Sequence, residues 1–253
     1  MFSGTSKSSL SPAFMAMVVS LVGSGAVLYS GAVRSSILVI LFVVAGWVVS
    51  LCLHESAHAL AAFYGGDRSV VARGYLSLDP MVYANPGLTF GLPILYLLIG
   101  GIGLPGAAVY IDHGALRTRW WDSAVSAAGP FANLVFLAIL ALPFLFGLNE
   151  HGGADPFWSA LGFLAYLQAT AIVLNLLPIP GFDGFGIIRP HLPYQMQEQG
   201  DRIAQGVGIL LLVLFFFQPF QVAIGNASVK LTDQVGIERY YVAKGYSMFR
   251  LKV

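Results

Sequence analysis

Six runs of apolar residues divide this chain, at 13–33, 36–63, 91–111, 124–147, 157–178 and 203–225. A helix needs about 20 such residues to cross a bilayer, so each run predicts a transmembrane span. The run at 13–33 follows Lys7, like the apolar part of a signal peptide. Its length and the lack of a soluble domain behind it predict a retained span instead. Glycine is frequent in 13–33 and 91–111, which favours close helix packing. Two polar stretches interrupt the pattern. After Gly65-Gly66, the segment from Ser69 to Leu78 reads as β-structure: Leu76 and Leu78 alternate with Tyr75 and Ser77, and Asp79-Pro80 ends the run. Residues 226–253, with patches such as Tyr240-Tyr241-Val242, predict an ordered polar tail. The expected fold is an all-α polytopic membrane protein of about six transmembrane helices, with a small membrane-associated β-hairpin or sheet after the second. Residues 1–225 form the membrane domain and 226–253 a C-terminal tail.

Composition sharpens this reading. Hydrophobic residues make up 57% of the chain and charged ones 10%, with a mean hydropathy of +0.76. A soluble domain would carry about a quarter charged residues, so no separate soluble domain is expected. The net charge of +1 gives no reason to expect a nucleic-acid partner. Cys52 is the only cysteine, so there is no internal disulfide. It lies about 200° round the helix from His54, which marks it as a packing residue. Six spans would put both termini on one side with loops 64–90 and 148–156. That side would hold Lys7, Arg68, Arg73 and the tail cations, against Arg34, Arg117, Arg119, Arg189 and Arg202 opposite. The excess favours cytoplasmic termini in a bacterial cytoplasmic membrane, with His54 and His58 in the cytoplasmic half.

The second run carries the chemistry. His54-Glu55-Ser56-Ala57-His58 stands in a stretch, Ser36 to Phe63, with no other charge. Residues four apart share a helix face, so the two imidazoles can address one metal ion, and Glu55 lies close enough to take a proton from a metal-bound water. Ionisable groups at bilayer depth cost roughly 2.5–3.5 kcal/mol each by insertion scales, which argues for a function there. A structural alternative is a pair of histidines bridging neighbouring helices by hydrogen bonds. Further on, Asn175-Leu176-Leu177-Pro178-Ile179-Pro180-Gly181-Phe182-Asp183-Gly184 must break an apolar helix, because each proline removes a donor and disfavours helix in the residue before it. Asp183 at that break is either a third ligand or part of an ordinary turn just outside the membrane.

These segments, with Ala128-Gly129-Pro130-Phe131-Ala132-Asn133 between them, resemble the site-2 protease family of intramembrane zinc metalloproteases. Order and spacing fit throughout 36–190, the expected catalytic core. Gly74 to Pro80 and Gly103 to Tyr110 further resemble compact bacterial members without PDZ or nucleotide-sensing domains. Phe182 departs from the leucine that many members carry, and leaves Asp183 in place. The resemblance implies one zinc ion per chain on His54, His58 and Asp183, with Glu55 as general base and Asn175 near the reacting carbonyl as an oxyanion donor. It implies hydrolysis of a peptide bond in or near a transmembrane segment of another membrane protein. Gly129, Pro130, Asn133, Pro178, Pro180 and Gly181 are expected to shape the site's surroundings. A helical substrate must unwind to be cut, and Tyr75, Leu76, Ser77 and Leu78 are expected to offer it a strand edge. The competing functions are a membrane metal transporter and a protease-like scaffold without activity. The first usually needs ligands on several spans, and 13–33, 91–111 and 203–225 hold no Asp, Glu or His. The second would have lost one of the four site residues, and all four are present.

Overall fold

A computed structural model describes residues 10–33, 35–83, 109–151 and 155–250. In chain order the helices are α1 (Pro12–Ser30), α2 (Ser36–Gly65), the single turn α3 (Ser69–Ala72), α4 (Arg119–Leu145), α5 (Asp155–Asn175), α6 (Asp183–Ile188), α7 (Tyr194–Phe216), α8 (Gln218–Gln234) and α9 (Arg239–Phe249). Among the described residues four of them, α1, α2, α4 and α5, are long and apolar enough to cross a membrane. The chain is an all-α membrane protein. Its long helices start where a hydroxyl can satisfy a free amide: Ser11, Ser35 and Thr118 accept from Ala13, Ile37 and Trp121 at the heads of α1, α2 and α4.

The core forms where α2, α4 and α5 meet. Of the apolar span of α5, 78% is enclosed by the rest of the molecule, against 22% for α1 on the outside. Phe42, Val49, Leu137, Phe163 and Leu164 pack together in this interior. Burying each such side chain is worth about 1.5–3 kcal/mol when it leaves water, although against lipid the gain comes from close packing instead.

Several expectations need correction. No strand occurs among the described residues. Ser69–Ala72 is a helical turn started by Asp67, whose Oδ1 accepts from the Ser69 amide at 2.8 Å, and Tyr75–Ser77 is a 3-10 turn. Residues three apart eclipse in such a turn, so Tyr75 and Leu78 reach the main core together, while Leu76 joins a second cluster with Val70 and Val125. An apparent period of two was a period of three. The Ser77 amide is already bonded to Gly74 O at 3.1 Å, so these residues present no strand edge.

The expected span at 91–111 lies mostly outside the described residues, but its flanks meet at one end of the bundle. Tyr83 Oη donates to Tyr75 O at 3.0 Å, Asp112 N donates to Asp67 Oδ2 at 2.9 Å, and Arg117 N donates to Gly65 O at 2.9 Å. Burial pushes the Asp67 carboxyl up, yet the main-chain donors of Asp112 and Ser69 hold it below the usual carboxylate range. Hence α4 begins where α2 ends. The expected span at 203–225 is divided at Phe217, where α7 stops and α8 restarts with Pro219 in its first turn, a position that needs no amide donor. The polar stretch expected to form an ordered tail consists of the end of α8, up to Gln234, and of α9, Arg239–Phe249. Helix α9 lies against α5 and α2 with Val242 and Phe249 buried, and Lys244 is paired with Asp155 at the head of α5. Ser11, whose amide donates to Ser77 O at 3.0 Å, stands at the opposite end of the bundle from α9.

Candidate metal centre

Helix α2 places His54 and His58 one turn apart, both 7% exposed, with their Nε2 atoms 3.0 Å apart. Asp183 arrives from a distant part of the sequence. Helix α5 ends at Asn175, the chain opens over 176–182 through Pro178, Pro180 and Gly181, and Asp183 begins α6. Phe182 anchors the opening, buried beside Leu174 and Ile224. Ser123 on α4 fixes the far end of α6 by donating to Ile187 O at 2.7 Å. Asp183 Oδ2 then lies 3.3 Å from His54 Nε2, and Oδ1 lies 3.4 Å from His58 Nε2.

This geometry fits a metal. Tetrahedral zinc ligands at about 2.0–2.1 Å from the ion stand roughly 3.3–3.4 Å from one another, close to the three spacings seen. Both histidines have Nδ1 committed elsewhere: His54 to Asn133 Oδ1 at 2.5 Å, and His58 to Val125 O at 2.7 Å. Asp183 Oδ2 is buried with no hydrogen-bond partner, a costly arrangement unless a cation completes it. Gly129 opens the space between the rings, since a Cβ there would lie 2.6 Å from His54 Nε2 and closer still to His58 Nε2. Among the described residues, His54, His58 and Asp183 are the one group of three such side chains able to share an ion.

Glu55, 3% exposed, follows His54 on α2, and its Oε2 accepts from the Val109 amide at 3.1 Å. Pro130 is buried inside α4 beside Gly129. Asn175 is half-buried as the last residue of α5. Tyr75, Leu76, Ser77 and Leu78 occupy the turn described above. His191 packs on Trp120, with ring centroids 4.4 Å apart, and stays out of the cluster. His113 pairs with Asp122 at 2.7 Å.

Sequence reasoning missed Ser50, Gln168, the Val125 carbonyl and the Val109 amide. Two of these had a signal. Ser50 stands one helical turn before His54, and Gln168 is an amide in the middle of an apolar span. The two main-chain groups had none.

Comparison with known proteins agrees with the chemistry of this cluster. The chain is 41% identical to "Putative zinc metalloprotease Rip2" of Mycolicibacterium smegmatis over 95% of its own length and 93% of that protein's. It is 43% identical to the protein of the same name from Mycobacterium tuberculosis, over 84% of this chain and 81% of the other. It is 28% identical to "Putative zinc metalloprotease YwhC" of Bacillus subtilis, over 68% of this chain and 78% of that one. No protein-family model and no solved structure matches the chain. The cofactor is zinc, and with two histidines and an aspartate gathered among apolar helices, the chain belongs to the zinc metalloprotease family of these relatives, consistent with a site-2 protease-type family.

Proposed function

We propose that this metalloprotease works within the bilayer, cutting a peptide bond in or near a transmembrane segment of another membrane protein. In this reading His54, His58 and Asp183 hold the zinc and Glu55 is the general base. The observation that carries it is the convergence of both Nε2 atoms on the Asp183 carboxylate, whose buried Oδ2 has no hydrogen-bond partner, inside helices apolar enough to span a membrane. Bound zinc supplies a polarised water that is easily deprotonated. Glu55, held at Oε2 by the Val109 amide, accepts that water's proton and returns it to the leaving amine. Asn175, next to the opened backbone that carries Asp183, offers an amide donor to the developing oxyanion.

Charge supports an orientation. Among the described residues, the end where α2 finishes holds Arg68, Arg73, Arg117, Arg119, Arg189 and Arg202, whereas Lys230, Arg239, Lys244 and Arg250 lie toward the other. The positive-inside rule assigns the first end to the cytoplasm of a multi-pass protein.

The test uses purified full-length protein in lipid vesicles with a model transmembrane substrate. Cleavage is expected to stop with chelator. Glu55→Gln should lose at least ~100-fold in rate while keeping its zinc, since general-base catalysis contributes about 10²–10⁴-fold. His54→Ala and Asp183→Ala should lose both rate and metal. Zinc loss in Glu55→Gln equal to that in His54→Ala would overturn the roles, and cleavage confined to soluble peptides would overturn the membrane setting.

A further inference from the structure

Three polar side chains from three helices meet behind His54, out of reach of lipid and water: Ser50 on α2, 4% exposed, Asn133 on α4, 3%, and Gln168 on α5, 1%. Asn133 Nδ2 stands 3.0 Å from Ser50 Oγ and 3.0 Å from Gln168 Oε1, and the Ser50 hydroxyl donates to the same Gln168 oxygen. An amide nitrogen can only donate, so both Asn133 protons are spent on these acceptors. Its Oδ1 is thereby turned to His54 Nδ1, 2.5 Å away. An amide oxygen can only accept, so Nδ1 carries the imidazole proton and Nε2 keeps its lone pair, facing His58 and Asp183. Turning both amides over would reverse the chain. Asn133 would then donate to Nδ1 and drive the proton to Nε2, closing the face that the three candidate ligands share.

We infer that Ser50, Asn133 and Gln168 are positioning residues that fix the tautomer and ring orientation of His54, and through it the affinity for zinc. The two histidines are controlled differently. His58 is set by the Val125 carbonyl, which no substitution removes. His54 is set by side chains alone, so it is the ligand that sequence can tune. Such outer partners of a metal-bound histidine typically change affinity by about 10–100-fold.

This inference rests on His54 being a ligand, and the experiment separates the two. Zinc affinity of the purified full chain is measured by competition with a chromophoric chelator, and cobalt(II) is substituted to read ligand geometry from its absorption bands. Gln168→Met, of similar length but without the acceptor, should bind zinc about 10–100-fold more weakly and shift the cobalt bands. Ser50→Ala, a smaller change that guards against misfolding, should move both readouts in the same direction. Unchanged affinity and cobalt bands in Gln168→Met and Ser50→Ala, with metal lost in His54→Ala, would overturn the relay alone. Wild-type affinity in His54→Ala would overturn the ligand assignment and the relay with it.

Discussion

Gly129 stands where any side chain on α4 would enter the space between His54 and His58. A Cβ is fixed to the backbone and cannot rotate away, so the rings would have to swing and release Asn133 and Val125. Alanine normally favours a helix over glycine by about 1 kcal/mol. Gly129→Ala should therefore bind zinc at least ~100-fold more weakly, at the far end of the range for disturbed metal sites, with helix content by circular dichroism unchanged or higher. Normal zinc content in that variant would show that the gap does not serve the metal. At this scale the sequence was informative where chemistry is local. His54 and His58 announce themselves because a helix repeats every 3.6 residues. Asp183 does so because a charge beside two prolines in an apolar run is costly unless a cation or water meets it. The Ser50–Asn133–Gln168 contact was illegible for a physical reason: it joins three helices whose rotations are set only by packing.

Among the elements, the opening between α5 and α6 decides where Asp183 points. Pro178 and Pro180 cannot extend α5, and Gly181 has φ +97°, a left-handed conformation that side chains resist. Replacing Pro178, Pro180 and Gly181 together by alanine should let α5 run on and carry Asp183 away from the histidines. We expect zinc affinity to fall about 100-fold or more, as when a ligand is lost, with membrane insertion intact because the segment stays apolar. Unaltered zinc binding would mean that Phe182 and Ser123 alone aim the aspartate. This break was readable because proline acts through its own backbone. The supposed strand at 69–78 misled because so short an alternation fits two periods, and the deciding groups, the Asp67 carboxylate and the partners on α2 and α4 that the segment packs against, lie outside it.

For the molecule as a whole, α9 converts the chain's last polar stretch into part of the wall. It crosses α5 so closely that a Cβ on Gly245 would lie 2.6 Å from Phe163 Cβ and against Ser159 O. Gly245→Val should lift α9 off and cost about 1–3 kcal/mol, the usual range for an overpacked contact. That loss would be read as a lower unfolding temperature in detergent with zinc affinity held, since α9 sits at the end remote from the metal. Loss of zinc in this variant would tie the two ends together and refute that separation. Hydropathy could not foresee this docking, because α9 mixes three tyrosines with Arg239 and Lys244 and buries only one side, at Val242, Gly245 and Phe249.

The enclosure of α5 has a consequence for how the protein is made. This helix has the lowest hydropathy of the four candidate spans and is the most surrounded by protein. A segment bearing Gln168, Thr170 and Ser159 is a poor guest for bare lipid, where an unpaired amide finds no partner. Its acceptors and donors on α2 and α4 precede it in the chain, so they emerge from the ribosome first and can already be waiting in the bilayer. Biogenesis in that order gives α5 a proteinaceous slot rather than a hydrocarbon one, and the polar residues that serve His54 in the finished enzyme would act earlier as the mark by which α5 finds its place.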